Sequence, residues 1–234
     1  MKRIYKAVAV APAAGGGGFA VHLDGKPVNS PGQRPLVIPA RALAEAVAAE
    51  WDAQVDKVDA RGMPMTGFVA TVADRVSPQR DFVVTELAGY GGSDLVCYLA
   101  DEPAELTARQ EAAWAPLRDW ASEAFGARLR PTAGVMPVAQ SPASLAALRR
   151  GVEALGDWEL APLHTLTSIT GSLVLGLAVL HGRLDAAAAY DASEVDEAFQ
   201  IEKWGMDREA EQRRRRRRAE VAEAAKFVEL LRAG

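Results

Sequence analysis

The hydrophobic pattern of the first forty residues reads as β structure, and beyond them it changes to helical spacing. Ile4 to Val10 is rich in β-branched and aromatic residues and Phe19 to Leu23 alternates, so both predict strands. Asp24-Gly25 predicts a hairpin turn. The returning strand, Lys26 to Asn29, contains Pro27, whose missing N–H assigns it to a sheet edge. Leu36-Val37-Ile38 gives one more short strand before Pro39 opens a helix. From about 40 to 57, Leu43, Val47, Trp51 and Val55 recur at spacing four. That ridge predicts a helix covering one face of the small sheet, with Trp51 a structural, core residue.

Past this helix the strand pattern almost disappears. Ser77-Pro78 and Ser141-Pro142 each look like an N-cap followed by proline at the first helical position. Gly91-Gly92, Gly126, Gly156 and Gly182 read as terminators or turns. Between them helices are expected at about 64–76, 78–90, 103–125, 142–155 and 160–181, with Pro116 bending or dividing the third. LVCYLA at 95–100 fits a short strand or an extended connection. A last helical segment begins at Ser193, with Asp196 completing a weak capping box, and runs towards Leu231 with an interruption at Gly205. The fold class is therefore α+β. A small N-terminal domain of antiparallel sheet plus helix, 1–60, precedes a larger all-α domain, 61–234.

Residues 160–182 carry no aspartate, glutamate, lysine or arginine and approach bilayer-spanning length. Pro162, His164, Thr165, Thr167, Ser168, Thr170 and Ser172 crowd its first half, so it reads as the buried central helix rather than a membrane span. The amino end, MKRIYKAVAVAP, lacks the apolar core of a signal peptide and the length and composition of a transit peptide. A bacterial cytoplasmic protein is expected, or a processed organellar one of the mitochondrial matrix, without stable membrane insertion.

The 234-residue chain can bury a sizeable core. Its net charge of −4 offers no global attraction to nucleic acid or an anionic membrane. Cys97 is the sole cysteine, which excludes an intramolecular disulfide and argues against a thiolate metal site.

Chemical motifs fail on context. Gly15 to Gly18 with Phe19 and Ala20 satisfies GxGxxA but precedes a strand, whereas a dinucleotide site follows a strand and opens a helix. Gly171 to Gly176 has the glycine spacing of a P-loop, but Leu177 stands where lysine is required. His22, His164 and His181 lack partners at ligand spacing, so His164 reads as a core histidine and His181 as a helix-end residue. No GxSxG is present, and Cys97 lacks the motif of a catalytic nucleophile. Neither cofactor nor metal is expected.

The carboxyl region is more informative. Arg213 to Arg218 are six consecutive arginines, yet residues 193–234 hold ten acids and ten bases. Glu209 and Glu211 can pair with Arg213 and Arg215 at spacing four, so a solvated, self-paired helix is expected rather than a nucleic-acid arm. A basic protein-docking patch stays open. Between Glu194 and Gln212 seven acids face two bases. Trp204 lies almost opposite Val195 on a continuous helix. It either packs into a neighbouring element or stands exposed beside carboxylates, the anatomy of a protein-binding hot spot.

FQIEKWG, at 199–205, occurs together with RPLVIPARALAEAVAAEWDAQ (34–54), MPMTGFVATVADRV (63–76), GGSDLVCYLADEP (91–103) and LTSITGSLVLGLAVL (166–180). In this order, over almost the entire chain, they resemble the assembly chaperone family that guards the α subunit of the F-type ATP synthase. The resemblance implies a small α+β domain before a helical one, no catalytic activity, and shielding of the unassembled α subunit until the β subunit replaces the chaperone. It also implies an important acidic position close to Trp204-Gly205, for which Asp207 and Glu209 are the candidates and Glu202 the alternative. Gln200, Glu202, Trp204, Asp207 and Glu209 are thus the expected partner-binding residues, and Trp51 and Gly205 structural ones. Two competing functions are a small-molecule enzyme with an unrecognised site and a nucleic-acid binder using Arg213 to Arg218.

Overall fold

The computed structural model describes residues 2–134, 136 and 138–233. Contacts divide the chain into two compact units, Met1–Arg80 with Lys226–Gly234, and Asp81–Ala225. The boundary expected after residue 60 falls inside the first of these.

In the first unit β1 (Val8–Pro12), β2 (Phe19–Leu23) and β3 (Lys26–Pro27) form an antiparallel sheet in sequence order. Asp24 and Gly25 make the turn with positive φ, and Val8 pairs with Leu23. Leu36-Val37-Ile38 contributes a single bridge, with the Phe19 and Ile38 amides exchanging bonds of 2.7 and 2.8 Å. The predicted first strand starts at Val8 instead of Ile4. Near the amino end Lys2 forms an isolated antiparallel bridge with Lys57, and the Arg3 amide donates to the Asp56 carbonyl at 3.0 Å.

Helix α1 (Arg41–Asp52) packs on the sheet through Leu43, Ala44 and Val47, all fully buried. It stops five residues short of the expected end because its final carbonyls find other donors. The Tyr5 hydroxyl donates to the Trp51 carbonyl at 2.6 Å, and the Arg3 guanidinium to those of Asp52, at 2.7 Å, and Gln54. Val55 therefore lies outside the helix, 78% exposed, and does not extend the ridge. Trp51 is half-buried, edge-on to the Tyr5 ring at 5.8 Å. Its neighbour Glu50 accepts from the Met65 and Thr66 amides at 2.7 and 2.8 Å, which caps α2 (Pro64–Thr71). A π-turn at Val72–Val76 follows. In the terminal segment of this unit the Phe227 ring is buried 5.1 Å from that of Phe68.

The second unit is helical. It contains most of α3 (Arg80–Gly89), then α4 (Ala104–Phe125), α5 (Pro142–Glu153), α6 (Asp157–Thr170), α7 (Leu173–Leu180), α8 (Ala186–Ser193), α9 (Val195–Trp204) and the greater part of α10 (Arg208–Arg232). Tyr98–Leu99 (β4) and Thr132–Ala133 (β5) form a short parallel pair, which resolves the LVCYLA segment. Ser141 caps α5 by accepting from the Ser144 amide, and α4 passes through Pro116 undivided.

The central helix expected at 160–181 is two helices. Gly171 takes a left-handed conformation and Ser172 restarts the chain as N-cap of α7. The fully buried Asp94 stabilises the break: it accepts from the Ser172 hydroxyl at 2.5 Å and from the Val174 amide at 3.0 Å, a backbone donor that an uninterrupted helix would have used internally. Leu160, Leu163, Leu166, Leu173, Leu175 and Leu177 are fully buried between these two helices and their neighbours. No described helix is long and apolar enough to cross a membrane.

Candidate interaction surface

The acidic segment with Trp204 belongs to α9, which α4 holds in place. Phe199 is the buried anchor of α9, covered by two cations, the Arg109 guanidinium at 5.2 Å and the Lys203 ammonium at 5.1 Å from its ring centre. Arg109 grips both oxygens of Glu202 at 2.9 and 2.8 Å and Glu105 at 2.8 Å. Lys203 reaches Glu105 at 3.2 Å, and these two cations, Lys203 first, hold the Glu105 carboxyl below the usual carboxylate range. Gln110 donates to Asp196, and the Trp114 indole to the Ala192 carbonyl at 2.7 Å. One side of α9 is thus committed to packing.

The other side is open. Glu197, Gln200, Ile201 and Trp204, at spacings of three, four and seven, share its outward face. Trp204 is 78% exposed and Met206, just past the helix, 41%. Of the two readings of Trp204, the structure has the exposed one. Gly205 between them has φ +81° and ψ −180°, a region essentially confined to glycine. Nothing crowds the position a Cβ would occupy, so the requirement is conformational, and it turns the chain from α9 into α10.

The predicted site residues separate by role. Gln200 and Glu209 are exposed, Glu202 is held by Arg109, and Asp207 caps α10 by accepting from the Ala210 amide at 2.8 Å. Ser193 is not a helix start. It ends α8, its hydroxyl donating to the Tyr190 carbonyl at 2.7 Å, and Glu194 takes the N-cap position of α9. Glu194 itself is 5% exposed and lies between Arg214, at 3.1 Å, and Arg217, at 3.2 Å. Arg218 pairs with Asp191 at 2.8 Å and Arg215 with Glu211. Four of the six consecutive arginines are therefore paired with carboxylates, and the run serves chiefly to seat α10 against α8 and the start of α9.

Sequence reasoning missed Arg109 and Glu105, for which spacing along the chain gives no signal. It also missed the outward stripe on α9, which spacing could have shown. His164 is not a core histidine: it is half exposed, 3.5 Å from Glu86. Burial pushes the Cys97 thiol up to about 12, so it stays protonated and a poor nucleophile.

Comparison with known proteins gives this architecture a class. A crystal structure of Atp12 from Paracoccus denitrificans superposes with a TM-score of 0.94 at 42% identity, over 99% of this chain and 98% of that one. A putative chaperone from Agrobacterium tumefaciens gives 0.90 at 40% identity, over 97% of this chain and 84% of that one. The mitochondrial protein atp12 of Schizosaccharomyces pombe is 23% identical over 201 residues, 81% of this chain and 69% of its own length. The family model for the ATP12 chaperone protein matches residues 2–122. The family model is that of a chaperone, and the two solved structures share the small sheet followed by a helical region. The chain belongs to the ATP12 chaperone family.

Proposed function

We propose that this chaperone binds the unassembled α subunit of the F-type ATP synthase and shields its assembly interface, using the outward face of α9 and the loop that follows. The observation that carries the reading is the 78% exposure of Trp204 on a helix whose opposite side is locked to α4. A rigidly presented tryptophan is a typical interface anchor, and an exposed one is poorly explained by the needs of folding. Met206 and Ile201 extend the apolar surface. Gln200, Asp207 and Glu209 supply polar and negative groups that complement basic groups of an orphan subunit. Glu202 acts through position, keeping α9 seated. The work is a holding function with no bond made or broken, in the bacterial cytoplasm or the mitochondrial matrix. An unassembled ring subunit exposes an apolar and charged interface that aggregates unless covered.

The test is suppression of α-subunit aggregation by purified chaperone. Trp204→Ala is expected to weaken protection at least tenfold while leaving the thermal melt unchanged. Undiminished protection by both Trp204→Ala and Glu209→Lys moves the client site off α9.

A further inference from the structure

Among the described residues of α9 only Phe199 is buried. Apolar contact is non-directional and leaves a helix free to turn about its anchor, so the aim of Trp204 depends on directional bonds. Asp196 and Glu202 flank Phe199 at spacing three, about 60° to either side of it on the helix surface and about 9 Å apart along the axis. Attachment at both fixes tilt and rotation. Glu202 is held by Arg109, a half-exposed pair that solvent screens. Asp196 is held by Gln110, which is 1% exposed in α4. The Gln110 amide uses both ends: Oε1 accepts from the Ala100 amide at 2.7 Å, and Nε2 donates to the Asp196 carboxylate. That orientation is forced, because a backbone N–H only donates and a carboxylate only accepts. Ala100 is tied to α4 a second time, its carbonyl accepting from the Thr107 hydroxyl at 2.8 Å, which pins the oxygen end of the amide. Ala100 asks only for an acceptor, which a carboxylate also supplies. The donor end serves α9 alone.

We propose that Gln110 is a positioning residue for client capture: its buried amide indexes α9 against α4 and so aims the stripe of Glu197, Gln200, Ile201 and Trp204 at the unassembled α subunit. The inference rests on the α-subunit reading above and adds to it the group that sets the rotation of the binding helix. A buried amide carries a desolvation cost that an apolar side chain avoids, and what it supplies instead is directionality. Its hydrogen bonds select one rotation among those that Phe199 alone accepts. A helix held at one rotation presents its stripe without the ordering cost that a loosely held helix meets on binding. Gln110 itself, inside α4's packed face, acts only through Asp196.

The experiment titrates full-length chaperone with purified α subunit at about pH 8, where facing carboxyls are ionised, and at a temperature well below every melt. In the free chaperone it also reads the fluorine resonance of a fluorotryptophan at position 204. Gln110→Glu keeps the acceptor for Ala100 but sets a second carboxylate against Asp196. Capture is expected to weaken about tenfold, with the position-204 resonance shifted or broadened. Adding Asp196→Asn restores a donor–acceptor pair of reversed polarity, so capture is expected to return to within about twofold of wild type and the resonance to its place. A residue serving stability alone lowers the melt and leaves both readouts of the folded protein unchanged. Undiminished capture by Gln110→Glu, or lost capture with an unmoved resonance, overturns the inference and leaves the α9 reading standing, because Trp204→Ala tests that separately. An equal loss in Asp196→Asn alone also overturns it, by placing that carboxylate on the client. If Gln110→Glu does not fold, the double variant decides: capture by the folded double variant supports the inference, and its absence overturns it. If wild-type chaperone captures no α subunit, the α-subunit reading fails and this inference with it.

Discussion

Glu202 and Arg109, 93 residues apart in sequence, form a two-pronged ion pair that fastens α9 to α4. Both side chains are about half exposed, so solvent screens the pair and its contribution to stability is small. Glu202→Lys replaces attraction by repulsion beside Arg109 and is expected to lower stability slightly and to weaken capture by loosening α9. Combining it with Arg109→Glu restores the attraction. Chemical denaturation and capture measured on the two single variants and the double variant check this: recovery of both quantities in the double variant marks Glu202 as a positioning residue. Recovered stability without recovered capture marks it as a client contact.

Glu194 sits almost fully buried between Arg214 and Arg217. Glu194→Ala leaves both guanidinium groups without this partner and is expected to destabilise the protein by about 2–3 kcal/mol, below the roughly 3–5 kcal/mol of a fully buried pair because the arginines are partly exposed. Urea unfolding measures it. A loss below about 0.5 kcal/mol contradicts a seating role for the arginine run.

Gly205 adopts a backbone conformation that a side chain strains. Gly205→Ala is expected to cost about 1–3 kcal/mol, or to relax by re-aiming α9 and α10. Thermal and urea melts decide between these: an unchanged midpoint with weakened capture shows relaxation, and an unchanged midpoint with full capture rejects the constraint.

Asp94 supplies a pH dependence whose sign is opposite to the usual carboxylate case. Burial raises it from 3.8 to about 6 despite the Ser172 hydroxyl and backbone donors that pull the other way. Its folded-state value is above the unfolded one, so the folded protein favours the protonated form. That stabilisation is complete below about pH 4 and lost as pH rises through about 6. Asp94→Asn does not titrate. The stability of the wild type relative to this variant is therefore expected to fall between pH 4 and pH 6, by up to about 3 kcal/mol, and to level off above pH 7. A difference that is flat or rises across that window contradicts the assignment.

The hairpin was legible because alternation at Phe19 to Leu23 and the Asp24-Gly25 turn are local signals, as is the cap at Ser141-Pro142. The interruption at Gly205 was legible for the same reason. The division of 160–181 was not, since the group that restarts the chain at Ser172 is Asp94, 78 residues away. Nor was the early end of α1, which depends on donors from Arg3 and Tyr5. In the candidate surface the acidic stretch and Trp204 were visible, but their separation into Glu202 held by Arg109, Asp207 capping α10 and Trp204 exposed is tertiary information. In the EWDAQ element, distinctive as sequence, Glu50 caps α2, Trp51 packs on Tyr5, and Gln54 accepts from the Asp59 amide at 2.8 Å.

The central claim is that Trp204 meets the α subunit directly, and site-specific photo-crosslinking tests it most closely. A photoreactive amino acid replaces Trp204 in one protein and Ser168, exposed on α6, in a control. Each is mixed with purified α subunit and irradiated. The account predicts an adduct of one chaperone with one α subunit from position 204 and none from 168, suppressed by excess unlabelled wild-type chaperone. No adduct from position 204, under conditions where the same labelled protein still prevents α-subunit aggregation, contradicts it.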